Sequence, residues 1–175
     1  MIRRNAESLL RSLARRHPVV TLTGPRQSGK TTLCRMAFPG KRLVSLEPPD
    51  VREFAASDPR GFLRGLPKGG VIDEVQRVPD LCSYIQEDVD ADRRPGRWIL
   101  TGSANLALMR SVSQSLAGRT AFVDLLPLVM EEVGRFPRGG KRSLADAMWR
   151  GSYPAVFERR LPPPEWYAGY VRTYV

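Results

Sequence analysis

The chain has 175 residues, 42% of them hydrophobic, and a formal net charge of +10, so it suits one domain, or one domain with the start of a second, that buries a core. No apolar run approaches the ~20 residues of a membrane span, and we expect a cytoplasmic protein with no membrane partner. Two cysteines and one histidine exclude a disulfide framework, zinc chemistry and a Ser-His-Asp triad.

The first predicted element is a basic amphipathic helix over residues 3–16. Leu9, Leu10 and Leu13 recur there at helical spacing. The segment lacks the apolar centre of a secretion signal and contains Glu7. We therefore interpret it as a surface helix.

Five short apolar runs predict buried strands. They cover residues 18–23, 41–47, 69–75, 97–102 and 120–126. The helices predicted between them cover residues 30–37, 50–65 with a break at Pro59, 80–90 and 104–117. Because strands that alternate with helices form parallel crossovers, the sequence predicts an α/β fold with a mostly parallel sheet covered on both faces.

The character of the sequence changes after residue 127. Helical segments are predicted in PLVMEEVGRF, SLADAMWRGSYP and EWYAGYVRTYV, with a loop, RFPRGGKR, after the first. We therefore divide the chain into a core over residues 1–127 and a helical extension over residues 128–175. The last helix carries no C-terminal capping signal, so we expect an incomplete product in which a further C-terminal region begins.

The stretch GPRQSGKT, residues 24–31, matches the pattern G-x-x-x-x-G-K-[ST] in full, between a predicted strand and a predicted helix. Its two glycines permit a backbone that turns several N–H groups toward one point, where the positive end of the next helix adds to the field. Lys30 is expected to reach the β- and γ-phosphates of a nucleotide, and Thr31 to ligate Mg²⁺. The predicted nucleotide-binding residues are Gly24, Pro25, Arg26, Gln27, Ser28, Gly29, Lys30, Thr31 and Thr32.

Two carboxylates end the third predicted strand, in GGVIDEV. Asp73 is expected to hold Mg²⁺ through its water shell, and Glu74 to orient or deprotonate an attacking water. Carboxylates often end strands, so the pair gains its weight from the glycine loop upstream. A glutamate directly after the aspartate favours water over a metabolite as the phosphoryl acceptor.

Small polar residues end the fourth predicted strand, and an arginine precedes the fifth. Thr101, Ser103 and Asn105 are expected on the same sheet edge as the loop, where one of them could bond the γ-phosphate or the attacking water. Ser103 could instead cap the next helix. Arg119, in SLAGR, is either an arginine finger that neutralises charge on the transferred phosphoryl group or an ordinary surface residue.

These elements, in this order, resemble the AAA-like ATPases of the AAA_14 family, which usually carry a C-terminal DUF4143 domain. The matching stretches are GPRQSGKTTL, VIDEVQRVPDL, ILTGSANLALM, SLAGR, PLVMEEV and GSYP. Many NTPases share the first two, whereas the combination of GPRQ-x-GKTT with DE-x-Q-x-x-P and TGS…LAGR is more specific. The chain departs from the family in GSYP, usually written GGYP, and in its length.

The resemblance implies a three-layer P-loop ATPase with a parallel five-stranded sheet in the order 5-1-4-3-2. The site residues that it implies are Lys30 and Thr31 as Walker A ligands, Asp73 and Glu74 as Walker B residues, and Ser103 as the sensor-1 candidate. Of these, Thr31 and Asp73 are the metal ligands, and Lys30, Glu74 and Ser103 are catalytic. It further implies that Arg119 reaches the nucleotide of a neighbouring subunit, which requires a homo-oligomer. Gln76 and Arg26 match the family pattern without an assigned role.

The favoured function is ATP binding and Mg²⁺-dependent ATP hydrolysis that drives a conformational change in an attached domain or partner. No guanine-specific N-K-x-D stretch is present, and an adenine is expected between the N-terminal helix and the chain after the last strand. One alternative is a nucleotide-dependent switch that binds DNA or protein with little turnover. The net positive charge favours this alternative, because it suits an anionic partner such as DNA. The support is only mild, because arginine supplies 24 of the 28 basic residues and a bias in composition explains the charge equally well. The other alternative is a phosphotransferase with a metabolite acceptor near residues 47–54.

Overall fold

The structure, a computed structural model, describes residues 2–103, 112, 114–136 and 143–174. Five strands form one sheet: β1 (Val19–Gly24), β2 (Leu43–Ser45), β3 (Gly70–Asp73), β4 (Trp98–Ser103) and β5 (Thr120–Asp124). Every neighbouring pair is parallel, and the strand order is β2-β3-β4-β1-β5. The α/β fold class and the order 5-1-4-3-2 are confirmed.

Helices stand before and between the strands where the sequence predicts them. They are α1 (Ala6–Ala14), α2 (Lys30–Ala37), α3 (Pro49–Ser57), α4 (Pro59–Arg64) and α5 (Leu81–Ala91). The helices described after β5 are Met130–Gly134, Leu144–Arg150, Pro154–Glu158 and Pro163–Tyr174. No helix in the described part of the chain is long and apolar enough to span a membrane.

Three predicted strands are shorter in the structure, and one predicted helix lies partly outside the described residues. The third strand, predicted over residues 69–75, covers Gly70–Asp73, and the fifth, predicted over residues 120–126, covers Thr120–Asp124. The second strand, predicted over residues 41–47, covers only Leu43–Ser45, because it is an edge strand whose single neighbour, β3, is itself four residues long. Of the helix predicted over residues 104–117, only residues 112 and 114–117 are described. Asn105 and most of the loop RFPRGGKR lie outside the described residues.

The core lies on both faces of the sheet, because successive residues of a strand point to opposite sides. Val20 and Ile99 pack on one face with residues of α1 and α2. Trp98 and Leu100 pack on the other face with residues of α3, α4 and α5. The molecule therefore has three layers, and the carboxyl ends of β1, β3 and β4 meet at one edge of the middle layer.

Candidate functional site

The loop after β1 turns at Gly24, where φ is 150°. A β-carbon on this residue would lie 2.2 Å from the carbonyl oxygen of Leu125, just beyond β5. Further along the loop, Gln27 and Gly29 take left-handed φ values of 60° and 93°. The chain therefore curls back on itself before α2 begins at Lys30.

We expect Gly24→Ala to lower the free energy of unfolding by about 1–3 kcal/mol, the usual cost of forcing an extra carbon into a packed place. Thermal or denaturant unfolding measures this difference. Gly40→Ala is the matched control, because a β-carbon at Gly40 would meet no atom within 4 Å. Equal stability of the two variants would contradict the close approach to Leu125.

Lys30 begins α2 and folds back over the loop. Its ammonium group donates to the carbonyl oxygens of Gly24 and Pro25, both at 3.0 Å, and the residue is only 5% exposed. Burial lowers the pKa of Lys30 from its ordinary value, although the charges of Glu74 and Asp73 act in the opposite direction. The first N–H groups of an α-helix have no partner within the helix, so donors of two kinds lie together at the start of α2.

Asp73 ends β3 beside the first turn of α2. One carboxylate oxygen accepts a hydrogen bond from the Thr31 hydroxyl at 2.9 Å, and the other accepts one from the Thr101 hydroxyl. Carboxylate and hydroxyl oxygens are hard ligands of the kind that Mg²⁺ prefers, and Mg²⁺ commonly keeps several waters beside one or two protein ligands. The pair of Thr31 and Asp73 therefore fits a magnesium ion.

Glu74 follows Asp73 in a left-handed backbone conformation, with φ 60° and ψ 43°. This conformation costs a residue with a side chain roughly 1–2 kcal/mol, and such strain is concentrated at functional sites. The Glu74 carboxylate accepts a hydrogen bond from the side-chain amide of Gln76. The motif residue Gln76, which has no role from sequence, is thus the direct partner of Glu74.

Ser103 ends β4 level with Gly24 of β1 in the register of the two strands. Its hydroxyl is buried and has no hydrogen-bond partner among the residues that the structure describes. A buried polar atom without a partner costs free energy until a water or a ligand binds it. The geometry agrees with a contact to a bound ligand, and the sensor role of Ser103 stays a prediction.

Arg119 lies at the amino-terminal ends of the strands, whereas the loop lies at their carboxyl ends. Its carbonyl oxygen accepts from the N–H of Val19, at the start of β1, at 3.3 Å. At about 3.3 Å per residue, β1 places the loop roughly 17 Å from that point. The Arg119 guanidinium donates to both carboxylate oxygens of Asp90 at 2.8 Å. Arg119 is therefore remote from the loop of its own chain.

An open cavity of about 500 Å³ lies against the loop and the end of β3, and its size suits a small-molecule ligand. The predicted site residues in its lining are Arg26, Gln27, Gly29, Lys30, Thr31, Thr32 and Glu74. The predicted site residues outside its lining are Gly24, Pro25, Ser28, Asp73, Ser103 and Arg119. Asp73 nevertheless remains next to it through its neighbour Glu74, whereas neither Ser103 nor its strand partner Gly24 is on the cavity wall.

The rest of the cavity wall comes from segments far apart in the chain. The lining residues that are not among the predicted site residues are Ile2, Arg4, Glu47, Leu128, Phe136, Pro154, Ala155, Glu158 and Arg159. Most come from the N-terminus or from the chain after β5, the region in which an adenine is expected from the sequence. Leu128 and Pro154 lie in the stretches PLVMEEV and GSYP, but no local pattern indicates that these residues line one cavity, because only the fold brings them together.

The last helix, Pro163–Tyr174, touches the loop at Arg26. The Tyr170 hydroxyl donates to the Arg26 carbonyl oxygen at 3.3 Å, and its oxygen lies 3.1 Å from that of Tyr153. The Arg26 guanidinium lies 5.7 Å from the centre of the Tyr174 ring, within cation–π range. The helical extension thus contacts the backbone and the side chain of one loop residue.

A profile of the AAA_14 family, described as an AAA domain, matches residues 16–134. The proteins Mb2031c of Mycobacterium bovis and Rv2008c of Mycobacterium tuberculosis, both described as uncharacterized, are each 39% identical over 179 residues. The match covers 99% of this chain but 38% of each relative, so the chain spans well under half of their length.

Solved structures share the fold at low identity. The Walker-type ATPase PABY2304 of Pyrococcus abyssi matches with a TM-score of 0.60 and 16% identity, over 90% of this chain and 65% of that one. AMPPCP-bound DnaA of Aquifex aeolicus matches with a TM-score of 0.56 and 15% identity, over 97% of this chain and 59% of that one. At these identities the likeness extends to the fold alone.

Proposed function

This chain belongs to the AAA_14 family of AAA domains, and on that premise we propose that it binds ATP and hydrolyses it in the presence of Mg²⁺. The observation that carries the proposal is the 2.9 Å contact between Thr31 of the loop and Asp73 of β3, with Glu74 on the wall of the adjoining cavity. A glycine loop, a pair of oxygen ligands and a neighbouring carboxylate are the parts that hydrolysis of a phosphoanhydride needs.

The loop and the start of α2 would hold the triphosphate. Lys30 would turn its ammonium group from the carbonyl oxygens of Gly24 and Pro25 to the β- and γ-phosphates, exchanging partial charges for full ones. The N–H groups of Gly29 and of the first turn of α2 would bond the same phosphates, helped by the helix dipole. These backbone N–H groups are held by the loop and the helix, so they need no reorganisation at the moment of reaction.

The carboxyl ends of β3 and β4 would supply the chemistry. Thr31 and Asp73 would hold Mg²⁺, which when bound neutralises charge on the phosphates. Glu74 would take a proton from the water that attacks the γ-phosphorus, while ADP leaves with the electrons of the broken P–O bond. The hydroxyl of Ser103, which has no hydrogen-bond partner among the described residues, would hold the γ-phosphate or that water.

The base would lie against the apolar part of the cavity wall. Ile2, Leu128 and Phe136 are apolar residues of the cavity lining, and an aromatic ring and aliphatic side chains suit the faces of a purine. The adenine would thus sit between the N-terminal segment and the chain after β5. ATP binding would therefore require both the core, residues 1–127, and the helical extension, residues 128–175.

Turnover would be passed on through the last helix. Tyr170 and Tyr174 contact Arg26 of the loop, so a rearrangement of the loop around phosphates would change what these two side chains contact. The relatives continue well beyond the matched length. An attached C-terminal domain or a partner would receive the conformational change.

Arg119 would complete the site of a neighbouring copy. Its position at the edge opposite its own loop supports a role in trans, as does its pairing with Asp90 in an exposed place from which it can be released. An arginine that stabilises the transferred phosphoryl group from another chain accelerates hydrolysis by several orders of magnitude in related reactions.

We expect Arg119→Ala and Lys30→Ala to be inactive alone and partly active when mixed. A site that takes Lys30 from one copy and Arg119 from the next is intact in about a quarter of randomly formed head-to-tail interfaces. Phosphate release from an equimolar mixture measures this. Arg60→Ala, which breaks an exposed pair with Glu87, is the control and should keep full activity. A mixture as inactive as its components would contradict the trans role.

A second candidate, a nucleotide-dependent switch with little turnover, is favoured by one observation. One oxygen of the Glu74 carboxylate already accepts a hydrogen bond from the Gln76 amide, and a carboxylate engaged in this way is a weaker base toward water. In this function ATP would be held until a partner, DNA or protein, separates Gln76 from Glu74.

Phosphate release from Mg²⁺-ATP without any acceptor, with and without DNA, tests the proposal. Release that stops when EDTA removes the metal is the expected result. Tight retention of ATP without release would favour the switch instead. Phosphate that appears only on an added metabolite would favour a phosphotransferase. Absence of ATP binding in calorimetry would contradict all three.

A further inference from the structure

Arg4 lies outside the glycine loop in sequence, yet its side chain is built into that loop. It stands just before α1 and is only 8% exposed. One terminal nitrogen donates to the carbonyl oxygen of Ser28 at 2.8 Å, and the other to that of Leu126 at 2.8 Å. Arg4 therefore joins the loop to the chain that follows β5.

The charge of Arg4 is matched by a second buried group, Glu132 of the helix Met130–Gly134. The Nε of Arg4 lies 3.0 Å from a carboxylate oxygen of Glu132, which is 2% exposed. The backbone N–H groups of Asn5 and Val129 also donate to Glu132, at 2.6 and 3.1 Å. Burial works to raise the pKa of Glu132, but these hydrogen bonds and Arg4 hold it below its ordinary value.

A buried ion pair contributes little net stability compared with apolar packing of the same size. We therefore look for a role of this ion pair other than stabilising the fold. Its contact with the loop supplies one, because the contact falls on the peptide group that joins Ser28 to Gly29.

The carbonyl group of Ser28 and the N–H group of Gly29 belong to one planar trans peptide and point in opposite directions. Gly29 has φ 93°, and a glycine passes between positive and negative φ at little cost, so this peptide is free to flip unless something holds it. The Ser28 side chain does not hold it, since its buried hydroxyl has no partner in the described part of the chain. Arg4 holds the carbonyl side.

We propose that Arg4, kept in place by Glu132, is a positioning residue that fixes the Ser28–Gly29 peptide so that the Gly29 N–H faces the phosphates of a bound nucleotide. The proposal rests on the proposed function, because it assigns a part in phosphate binding. It also gives the N-terminal segment a role in the site. The nucleotide loop is then formed by three stretches of chain, and the loop motif alone is insufficient.

Binding of ADP to Arg4→Gln tests the proposal. The variant is expected to bind ADP about 10- to 100-fold more weakly than the wild type. The reason is that the Gly29 N–H, once its peptide is no longer held by Arg4, ceases to donate to a charged phosphate. Its affinity for adenosine, which carries no phosphate, is expected to be unchanged. In ¹⁵N–¹H spectra of the wild type, ADP should shift the Gly29 amide strongly, and in the variant that shift should disappear.

The matched control is Arg97→Gln. Arg97 is also a largely buried arginine, paired with Asp88 and Asp92 at 2.7 Å each, but it precedes β4 at the edge opposite the loop. It should lose stability and keep wild-type ADP affinity. Arg4→Lys guards against misfolding of the glutamine variant, because it keeps a positive charge beside Glu132 but lacks the two separate terminal nitrogens with which Arg4 reaches Ser28 and Leu126. It should fold and bind ADP more weakly.

Three results would overturn the positioning role. The first is wild-type ADP affinity in both Arg4 variants. The second is a parallel loss of ADP and adenosine affinity, which indicates general damage to the cavity. The third is an ADP-induced shift of the Gly29 amide that persists in Arg4→Gln, which would make Arg4 a direct phosphate ligand. If the wild type itself binds no nucleotide, the proposed function fails, and that outcome is distinct from all three.

Discussion

Replacing Glu74 by glutamine is expected to lower the rate of ATP turnover by about 100-fold or more, the usual contribution of a general base. Glutamine keeps the size of the side chain and the strained backbone position, φ 60°, but cannot accept a proton from water. Because Glu74 has no part in holding the phosphates, ATP affinity should stay close to that of the wild type. The separation of turnover from binding is the specific expectation.

Single-turnover phosphate release measures the first quantity, and calorimetry with ATP measures the second. Glu47→Gln is the matched control, because Glu47 is another carboxylate on the wall of the same cavity, exposed and paired loosely with Arg77 at 3.7 Å. The control should turn over ATP normally. Wild-type turnover in Glu74→Gln would remove Glu74 from the reaction.

A separate variant, Gln76→Ala, measured in the same turnover assay, decides between the two candidate functions. If the Gln76 amide restrains Glu74, Gln76→Ala should release the carboxylate and raise basal turnover. If Gln76 orients Glu74 toward the attacking water, the same variant should lower turnover. Either direction assigns a role to a motif residue for which the sequence suggests none.

Lys30→Ala is expected to weaken ATP binding by about 100-fold or more. Each charge-assisted hydrogen bond to phosphate is worth about 1.5–3 kcal/mol, and every 1.4 kcal/mol is tenfold in affinity. The folded state should tolerate the change, because the substitution removes a charge whose burial is unfavourable, as the lowered pKa of Lys30 indicates. The variant should therefore fold and fail to bind.

Calorimetric titration with ATP measures the loss, and thermal unfolding checks the fold. Lys41→Ala is the matched control, since Lys41 is also a partly buried lysine whose pKa is lowered by burial and whose ammonium group donates to a backbone carbonyl, that of Arg97, at 3.3 Å. Lys41 lies outside the cavity. Equal ATP affinity in the two variants would contradict the assignment of the loop.

Much of the candidate site is readable from local sequence because its parts are local. Lys30 and Thr31 stand at fixed steps from two glycines, between an apolar run and a helical one, and Asp73 and Glu74 end another apolar run. A parallel sheet brings the carboxyl ends of such strands to one edge. The structure brings Thr31 and Asp73 to 2.9 Å, as this reasoning expects.

The alternation of strands and helices predicts parallel pairing but leaves the strand order open, because a crossover can return to either side of a strand. The order 5-1-4-3-2 is implied by the family resemblance, and the structure confirms it. Strand length shows a similar limit. The apolar run at residues 41–47 cannot reveal that β2 is an edge strand whose only partner has four residues.

In residues 24–31 and 69–75 the residue types and their spacing indicate the chemistry, so both motifs can be recognised from the sequence alone. Arg4 could not, since it is one of 24 arginines and is distinguished only by its acceptors, Ser28 and Leu126, which lie 24 and 122 positions away. The end of the sheet at which Arg119 lies and the far wall of the cavity have the same origin. They depend on contacts between distant stretches of chain, and such contacts exist only once the sheet and its two layers of helices have packed.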